Sequence, residues 1–384
     1  MIDIIGLNGI RPTQEIIKDF TCPPYDVIKP GTPLGLFLSN NPDSLYHIIL
    51  GNEPELALKN FLETNKLVED SKPCYYIYEQ TYGEQQRTGI LAAVEVSDYS
   101  EGKIIRHEKT FNDKVKGRLE LSRKTGFTFE PIFLLTKAPI SSILTEIKKS
   151  IEPFYEFTSD FANLSDLHNI KNKIYRVEEK SKFGLRLKEA IGNKSLYIAD
   201  GHHRYHAALI NNQTHCLAYI CEQAAIQAYN RVINGLKPFS SIKDELNLRK
   251  VTQFQTPLKH QFCIYTRDGI YELNARNIPD DIVGKLDCSI LEQELYPLLG
   301  LTHSMIKEIK HFDYYPETEL EKMKHCVDTG KYDLAVALHP VSLEELMAVA
   351  EAGLKNTNIV MPEKSTYFAP KILSGIFIYR HKLK

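Results

Sequence analysis

Apolar residues fall into short blocks along the chain, separated by glycine, proline and polar punctuation, and their spacing alternates between strand and helix periods. The opening, Ile2 to about Lys29, reads as a strand, then a brief helix over Gln14–Phe20, then a stiff turn at Pro23-Pro24-Tyr25-Asp26. Leu56, Leu58, Phe61 and Leu62 give Pro54–Lys66 a helical face. Tyr75–Thr81 and Arg87–Val96 are rich in Tyr, Ile and Val and are joined by a polar stretch containing Gly83, which predicts a β-hairpin. A turn at Ser97–Gly102 leads to a strand ending near His107; Glu120–Thr125 belongs to a helix and Pro131–Leu135 to a buried strand. Helices are expected at Ile143–Ile151 and Gly184–Ile191. The short apolar run Ser195–Ala199 is a strand, and Tyr205–Ile210 a helix that ends at Asn211-Asn212. After a composition change at Leu236-Lys237-Pro238 come a helix at Ile290–Leu299, a strand at Leu334–Leu338, a helix at Leu343–Gly353 and a final strand at Ser374–Tyr379.

This alternation predicts an α/β chain with mixed sheets. At 384 residues two lobes are the natural expectation. The boundary is placed after Leu236, giving a first lobe over 1–236 with a β-rich part at about 75–135, and a C-terminal α/β lobe over 237–384. Hydrophobic residues make up 43% and charged residues 25%, the globular average. A net charge of −2 argues against a duplex-wrapping nucleic-acid binder. No apolar stretch approaches a membrane span, and Asp3 with no preceding basic residues argues against a signal peptide. The seven cysteines show no Cys-x-x-Cys spacing, which fits reduced thiols and a cytoplasmic protein.

The densest chemistry lies at Asp200-Gly201-His202-His203-Arg204. A helix N-terminus leaves N–H groups without intrahelical acceptors and carries partial positive charge. Asp200 is expected to cap the helix and Gly201 to let the backbone approach a ligand. His202 and His203 add donors, and Arg204 a fork that matches phosphate. Together they form an anion cradle; the plainer alternative is a capped helix with an exposed His-His pair. His202 and His206 stand four apart and could share a metal with Asp200, but no third ligand has a standard spacing, so no direct metal site is assigned. His107-Glu108-Lys109-Thr110 ends a predicted strand, where Glu108 is a candidate base or magnesium ligand through water; an exposed polar loop is the alternative. Lys364, Ser365 and Thr366 lie between two prolines, without the glycines of a Walker-type loop, as phosphate contacts or as a rigid turn. No Gly-x-Ser-x-Gly is present, so hydrolase chemistry has no support.

Asp200-Gly-His-His-Arg-Tyr205 followed by Ala207-Ala-Leu resembles the signature of the DUF1015 family. The resemblance spans nearly the whole chain. It includes Arg11-Pro12, Pro23–Ile28, Gly89–Ala92, His107–Thr110, Arg118, Leu286–Leu291, Met361–Lys371 and Ser374-Gly375. The family usually carries a Pro-Thr-His-Arg-like string after the signature helix. Here Ala228-Tyr-Asn-Arg231 keeps the arginine, a further phosphate-contact candidate, and lacks the histidine. The Asp-Gly-His-His-Arg loop is also similar to the phosphate-binding loop of the ParB/sulfiredoxin-like superfamily, which includes ADP-dependent kinases of free serine. That resemblance implies a phosphate-binding module assembled from the N-terminal segment and the Leu196–Asn212 unit. It implies a nucleotide (ADP, ATP or CTP) with Mg²⁺ bridging its phosphates, a small hydroxyl-bearing acceptor such as serine, and Glu15 as the base. The C-terminal lobe would bring Lys364–Lys371 to the same cleft. A phosphotransferase is the first functional expectation, a nucleotide or phosphometabolite sensor without turnover the second, and a ParB-like DNA-associated protein the third. The oligomeric state has no sequence signal.

Overall fold

The structure, a computed structural model, describes residues 1–108 and 112–384, with the side chains of 112–114 left aside. It divides into two compact units, Met1–Ala224 with Pro370–Lys384, and Ala225–Ala369. The architecture is mixed α/β.

The first unit is built on a nine-stranded mixed sheet. Its strands are β1 (Ile4–Ile5), β2 (Cys74–Tyr82), β3 (Gln85–Glu95), β4 (Ile104–Ile105), β5 (Ile132–Thr136), β6 (Tyr155–Thr158), β7 (Lys171–Glu178), β8 (Leu196–Asp200) and β9 (His215–Cys221). The order is β4-β8-β5-β9-β3-β2-β7-β6, with β1 also pairing with β3. The pairs β8–β4 and β9–β5 are parallel and the others antiparallel. The expected hairpin is β2–β3, with Tyr82 opposite Gln85. The β-rich stretch at about 75–135 therefore contributes strands to the sheet that carries β8. The helices of this unit include α1 (Asn112–Thr125), α2 (Ser141–Ser150), α3 (Lys182–Gly192) and α4 (His202–Ile210), and four more lie between Ile17 and Glu63. One core gathers Ile77, Ile90, Ala92, Ile132, Leu134, Ile198 and Ile220 from alternating strand positions against Leu144, Ile147, Leu187 and Ile191 of α2 and α3. Tyr205 joins it from α4. Its hydroxyl accepts from Ser97 N (3.0 Å) and donates to Ser97 O (2.8 Å), which fixes how α4 lies on the sheet.

The last residues do not form the strand expected over Ser374–Tyr379. Ser374 bridges Cys22, Ile378 bridges Ile10, and Tyr379–Arg380 pairs with Phe127–Thr128. Phe377 stacks on Tyr76 at 3.8 Å. This segment crosses several parts of the first unit and satisfies backbone groups in each.

The second unit has a six-stranded antiparallel sheet, β11-β13-β12-β15-β10-β14. The strands are β10 (Tyr229–Ile233), β11 (Leu248–Val251), β12 (Gln261–Thr266), β13 (Gly269–Asn274), β14 (Phe312–Pro316) and β15 (Leu334–Leu338), with helices α5 (Asp287–Glu294), α6 (Leu320–Asp328) and α7 (Leu343–Lys355). Because β10 pairs with β14 and β15, the division lies upstream of the Leu236–Pro238 composition change. The helix expected over Ile290–Leu299 starts and ends earlier, as α5. All seven cysteines are buried and free. No described helix is long and apolar enough to cross a membrane.

Candidate functional site

The junction of β8 and α4 is shaped by two local features. The β8–β5 register shifts between Ile198 and Asp200, a bulge of the kind that re-aims a side chain. Gly201 then takes φ +91°, and a Cβ there would lie 2.9 Å from Arg204 Nε. Glycine is required on both counts. Gly201, not Asp200, is the N-cap residue, and no side chain caps α4. The expected Asp200 cap is thus replaced. The left-handed glycine sets Asp200 one residue further out, and its carboxylate turns to cations.

Asp200 Oδ2 meets Arg204 Nη2 at 3.3 Å and Lys371 Nζ at 3.4 Å. Burial alone would raise this carboxyl, but Lys371 and Arg204 hold it well below the usual carboxylate range. Arg204 itself turns inward, with a side chain only 8% exposed. Its Nη1 donates to the Pro131 carbonyl at 2.5 Å. The guanidinium expected to grip a guest is thus engaged with the protein's own groups, and it orients Asp200.

His202 is buried at the start of α4. The backbone N–H of His107 donates to its Nε2 (3.5 Å), which leaves Nδ1 to carry the proton toward Glu108 Oε2 at 3.7 Å. The rings of His107 and His202 meet edge-to-face at 4.5 Å. Burial pushes His107 down to about 4 and His202 well below its ordinary value, so both are neutral at pH 7. Glu108 thus lies beside His202 at the junction. Lys109 and Thr110 of the same motif lie outside the described residues. His203 is half-buried in the first turn of α4. His206 stacks on Tyr99 at 6.0 Å rather than joining His202. Among the described residues no group of three His, Cys, Asp or Glu is arranged to hold a metal.

A second set of groups adjoins this one through Pro131. Glu130, 3% exposed, accepts from Arg118 Nη1 (3.1 Å), Tyr25 N (2.9 Å) and Ser374 Oγ (3.3 Å). Arg118 lies 3.8 Å over the Tyr25 ring. A cavity of about 40 Å³ opens beside Arg118, Glu130, Arg204 and Gln213. A larger one, about 510 Å³, lies elsewhere between His47 and Lys66, among groups that do not converge on the junction. The Pro-Pro-Tyr-Asp turn is thus fastened beside the junction, and Asp26, exposed, stands with Glu130 in the electrostatic surroundings of Arg204. Glu15 is placed differently. It is exposed in the turn before the helix Ile17–Phe20 and makes no ion pair or hydrogen bond among the described residues. The nearby Pro12 carbonyl accepts from Tyr155 of β6, at the far edge of the sheet from β8.

Arg231, Lys364, Ser365 and Thr366 belong to the second unit, where Arg231 Nη2 donates to the Lys364 carbonyl at 3.5 Å. The lysine that reaches Asp200 is Lys371, just past the return to the first unit. Lys371, His107, Arg118 and Glu130 were not singled out as site residues from sequence. Lys371, His107 and Arg118 lie in the motif strings quoted above, and that is their only signal; Glu130 only precedes the strand expected at Pro131–Leu135.

Several solved structures are similar. A free serine kinase in complex with ADP is 11% identical over 73% of this chain and 87% of its own, with TM-score 0.39. SbnI with a C-terminal truncation, from Staphylococcus aureus, is 12% identical over 74% and 85%, with TM-score 0.40. A conserved hypothetical protein from Pyrococcus furiosus is 12% identical over 76% and 95%, with TM-score 0.38. No curated protein matches the sequence. Residues 4–289 match the model of the family described as protein of unknown function, DUF1015, and the chain, with its Asp-Gly-His-His-Arg junction intact, belongs to that family.

Proposed function

We propose that the β8–α4 junction holds a phosphate group of a nucleotide, and that the protein is a nucleotide-dependent phosphotransferase acting on a small hydroxyl-bearing metabolite, serine by resemblance. One observation carries this reading. A left-handed glycine, a helix N-terminus, two neutral histidines and a lysine converge around a carboxylate whose ion pairs, at 3.3 and 3.4 Å, are longer than the roughly 2.8 Å of a firm charge-assisted bond. Such long contacts exchange readily for an incoming phosphate. A Cβ at Gly201 would lie 2.9 Å from Arg204 Nε, so phosphate oxygens reach the backbone N–H groups there only as that guanidinium gives way. In this reading His203 and Lys371 contact the phosphate, while Arg204 acts through Asp200. Mg²⁺ would be carried by the nucleotide, with Asp200 and Glu108 as the carboxylates in reach. It would supply charge neutralisation on the phosphates. Asp26, rather than Glu15, stands where it could accept the proton of an acceptor hydroxyl.

Calorimetric titration of ADP, ATP and CTP with Mg²⁺, followed by mass spectrometry of mixtures with hydroxyl amino acids, tests the proposal. Binding of at least one nucleotide is expected, weakened about tenfold or more in Lys371→Met. A phosphorylated product should form that Asp26→Asn abolishes and Glu15→Gln leaves intact. Binding without product would favour a sensor. No binding of any of the three would sink both readings.

A further inference from the structure

The second unit buries a positive charge without a matching negative one. Arg231, on β10, is paired through its backbone with Tyr314 of β14 and Val336 of β15, and is 3% exposed. Its guanidinium donates to two backbone carbonyls, Tyr229 (3.2 Å) and Lys364 (3.5 Å). Nε has no partner, and among the described residues no carboxylate lies within ion-pair distance. Glu292, which contributes to its electrostatic surroundings, is engaged by His303 at 2.6 Å. A buried cation in this state is costly unless something anionic reaches it.

The neighbouring groups point the same way. The Lys364 ammonium lies 5.5 Å from the Tyr229 ring centre and 5.8 Å from that of Tyr314, and Arg231 lies 5.7 Å from the same Tyr314 ring. Two cations thus approach the same Tyr314 ring, and Lys364 too lacks an ion-pair partner among the described residues. Lys364 is held at φ +58°, a conformation that a non-glycine residue adopts only under constraint. The Lys364 carbonyl of that turn accepts from Arg231, and Ser365 follows it in the chain. The Ser365 hydroxyl is 1% exposed and has no partner. The Tyr296 hydroxyl, 2% exposed and also without a partner, contributes to the surroundings of Arg231.

We propose that Arg231, Lys364 and Ser365 form an oxyanion pocket, contained within the second unit, that takes a phosphate group. A dianionic phosphate offers separate oxygens to Nε of Arg231, to the ammonium and to the hydroxyl. It neutralises both cations at once and satisfies donors that are otherwise orphaned. The three residues come from β10 and from the Lys364–Ser365 turn, so the pocket is assembled by the fold of this unit. It stands whether or not the junction at Asp200 binds nucleotide.

The test uses the full chain and inorganic phosphate as probe. Amine acetylation of Lys364, read by mass spectrometry, is compared with and without phosphate at ionic strength matched with chloride. Phosphate binding is measured in parallel by calorimetry. Expected are protection of Lys364 by phosphate, and affinity reduced about tenfold or more by Lys364→Ala, Ser365→Ala and Arg231→Lys. Lys371→Met, in the first unit, should leave Lys364 protection unchanged. Lys364 is exposed, so Lys364→Ala keeps the test valid if Arg231→Lys does not fold. Labelling of Lys364 that ignores phosphate would show that the buried donors hold only water, and overturns the proposal. Equal protection by chloride, or stronger protection by citrate, overturns it as well.

Discussion

His107 is a buried base with too little around it to hold a second proton. The residue is 1% exposed, and among the described residues neither ring nitrogen makes a hydrogen bond of good geometry. Burial lowers its pKa from 6.5 to about 4, with the Ile198 backbone and the Asp200 carboxylate offsetting this only in part. That displacement corresponds to roughly 3 kcal/mol between the two protonation states. The consequence for stability follows from which state binds more protons. Below 6.5 the unfolded chain protonates His107 while the folded chain does not, so stability falls as the pH falls, until the folded pKa is reached. Between pH 7 and pH 5 the loss from this one residue is roughly 2 kcal/mol. His202 has a pKa lowered in the same direction and adds to the loss. His107→Phe keeps a ring of similar size against His202 and removes the titrating group, so it should abolish the His107 share and leave that of His202. The two units need not unfold together. The assay is therefore urea unfolding followed by hydrogen exchange of peptides covering Leu196–Ile210, which report the first unit. Wild type and His107→Phe should be similar at pH 7 and diverge by roughly 2 kcal/mol at pH 5, the variant being the more stable. Superimposable pH profiles would refute the argument, because they would mean that His107 is solvated or already paired.

Three further outcomes follow from the same junction. Asp200→Asn leaves Lys371 and Arg204, with side chains 12% and 8% exposed, without their shared carboxylate. It should cost roughly 1–3 kcal/mol, at the low end for a broken buried pair because the contacts are long. Since this carboxyl is depressed in the folded state, the difference in urea midpoint should be constant from pH 7 to pH 5 and shrink below pH 4, where the unfolded wild-type chain takes up a proton that the folded carboxyl still refuses. Gly201→Ala should cost about 1–2 kcal/mol from its φ of +91° alone, plus displacement of Arg204, whereas Gly201→Asn should cost less, as thermal melts of the two would show. Glu130→Gln removes the charge facing Arg118 at 3.1 Å and should lower stability by roughly 3–5 kcal/mol, measured by urea unfolding; a loss under 1 kcal/mol would mean that Arg118 finds another partner.

The elements governed by local pattern were legible from the chain. The β2–β3 hairpin, the strand β8, and the helices α2, α3 and α7 follow apolar periodicity, and the structure has each within a few residues of its expected place. Pairing between distant segments was not legible. Ser374–Tyr379 is apolar enough for a strand, but its partners are Cys22, Ile10 and Thr128, which three separate stretches supply. Nothing in a local window encodes that choice. The lobe boundary shows the same limit. The composition change at Leu236 marks a loop, whereas the division is set by β10 pairing with β14 and β15.

The site was legible as a motif and illegible as a geometry. Residue types at Asp200–Arg204 point to anion chemistry, but the sign of φ at Gly201 decides which residue caps the helix and where the carboxylate turns. The string Met361–Lys371 carries two lysines, and pattern alone favours Lys364, flanked by hydroxyl residues. The chain passes from one unit to the other between Ala369 and Pro370, so its two ends serve different surroundings. Lys371 meets Asp200 in the first unit, and Lys364 lies over Tyr229 and Tyr314 in the second. Likewise the resemblance names Glu15 as the base, and a second early acid, Asp26, lies in the electrostatic surroundings of Arg204. Glu15 follows a segment whose Pro12 carbonyl is fastened to the far edge of the sheet through Tyr155. Asp26 follows a tyrosine whose backbone N–H donates to Glu130, one residue before the Pro131 carbonyl that accepts from Arg204. The acid that shares the junction is therefore chosen by which backbone hydrogen bond anchors the preceding turn, and that is a property of the folded chain.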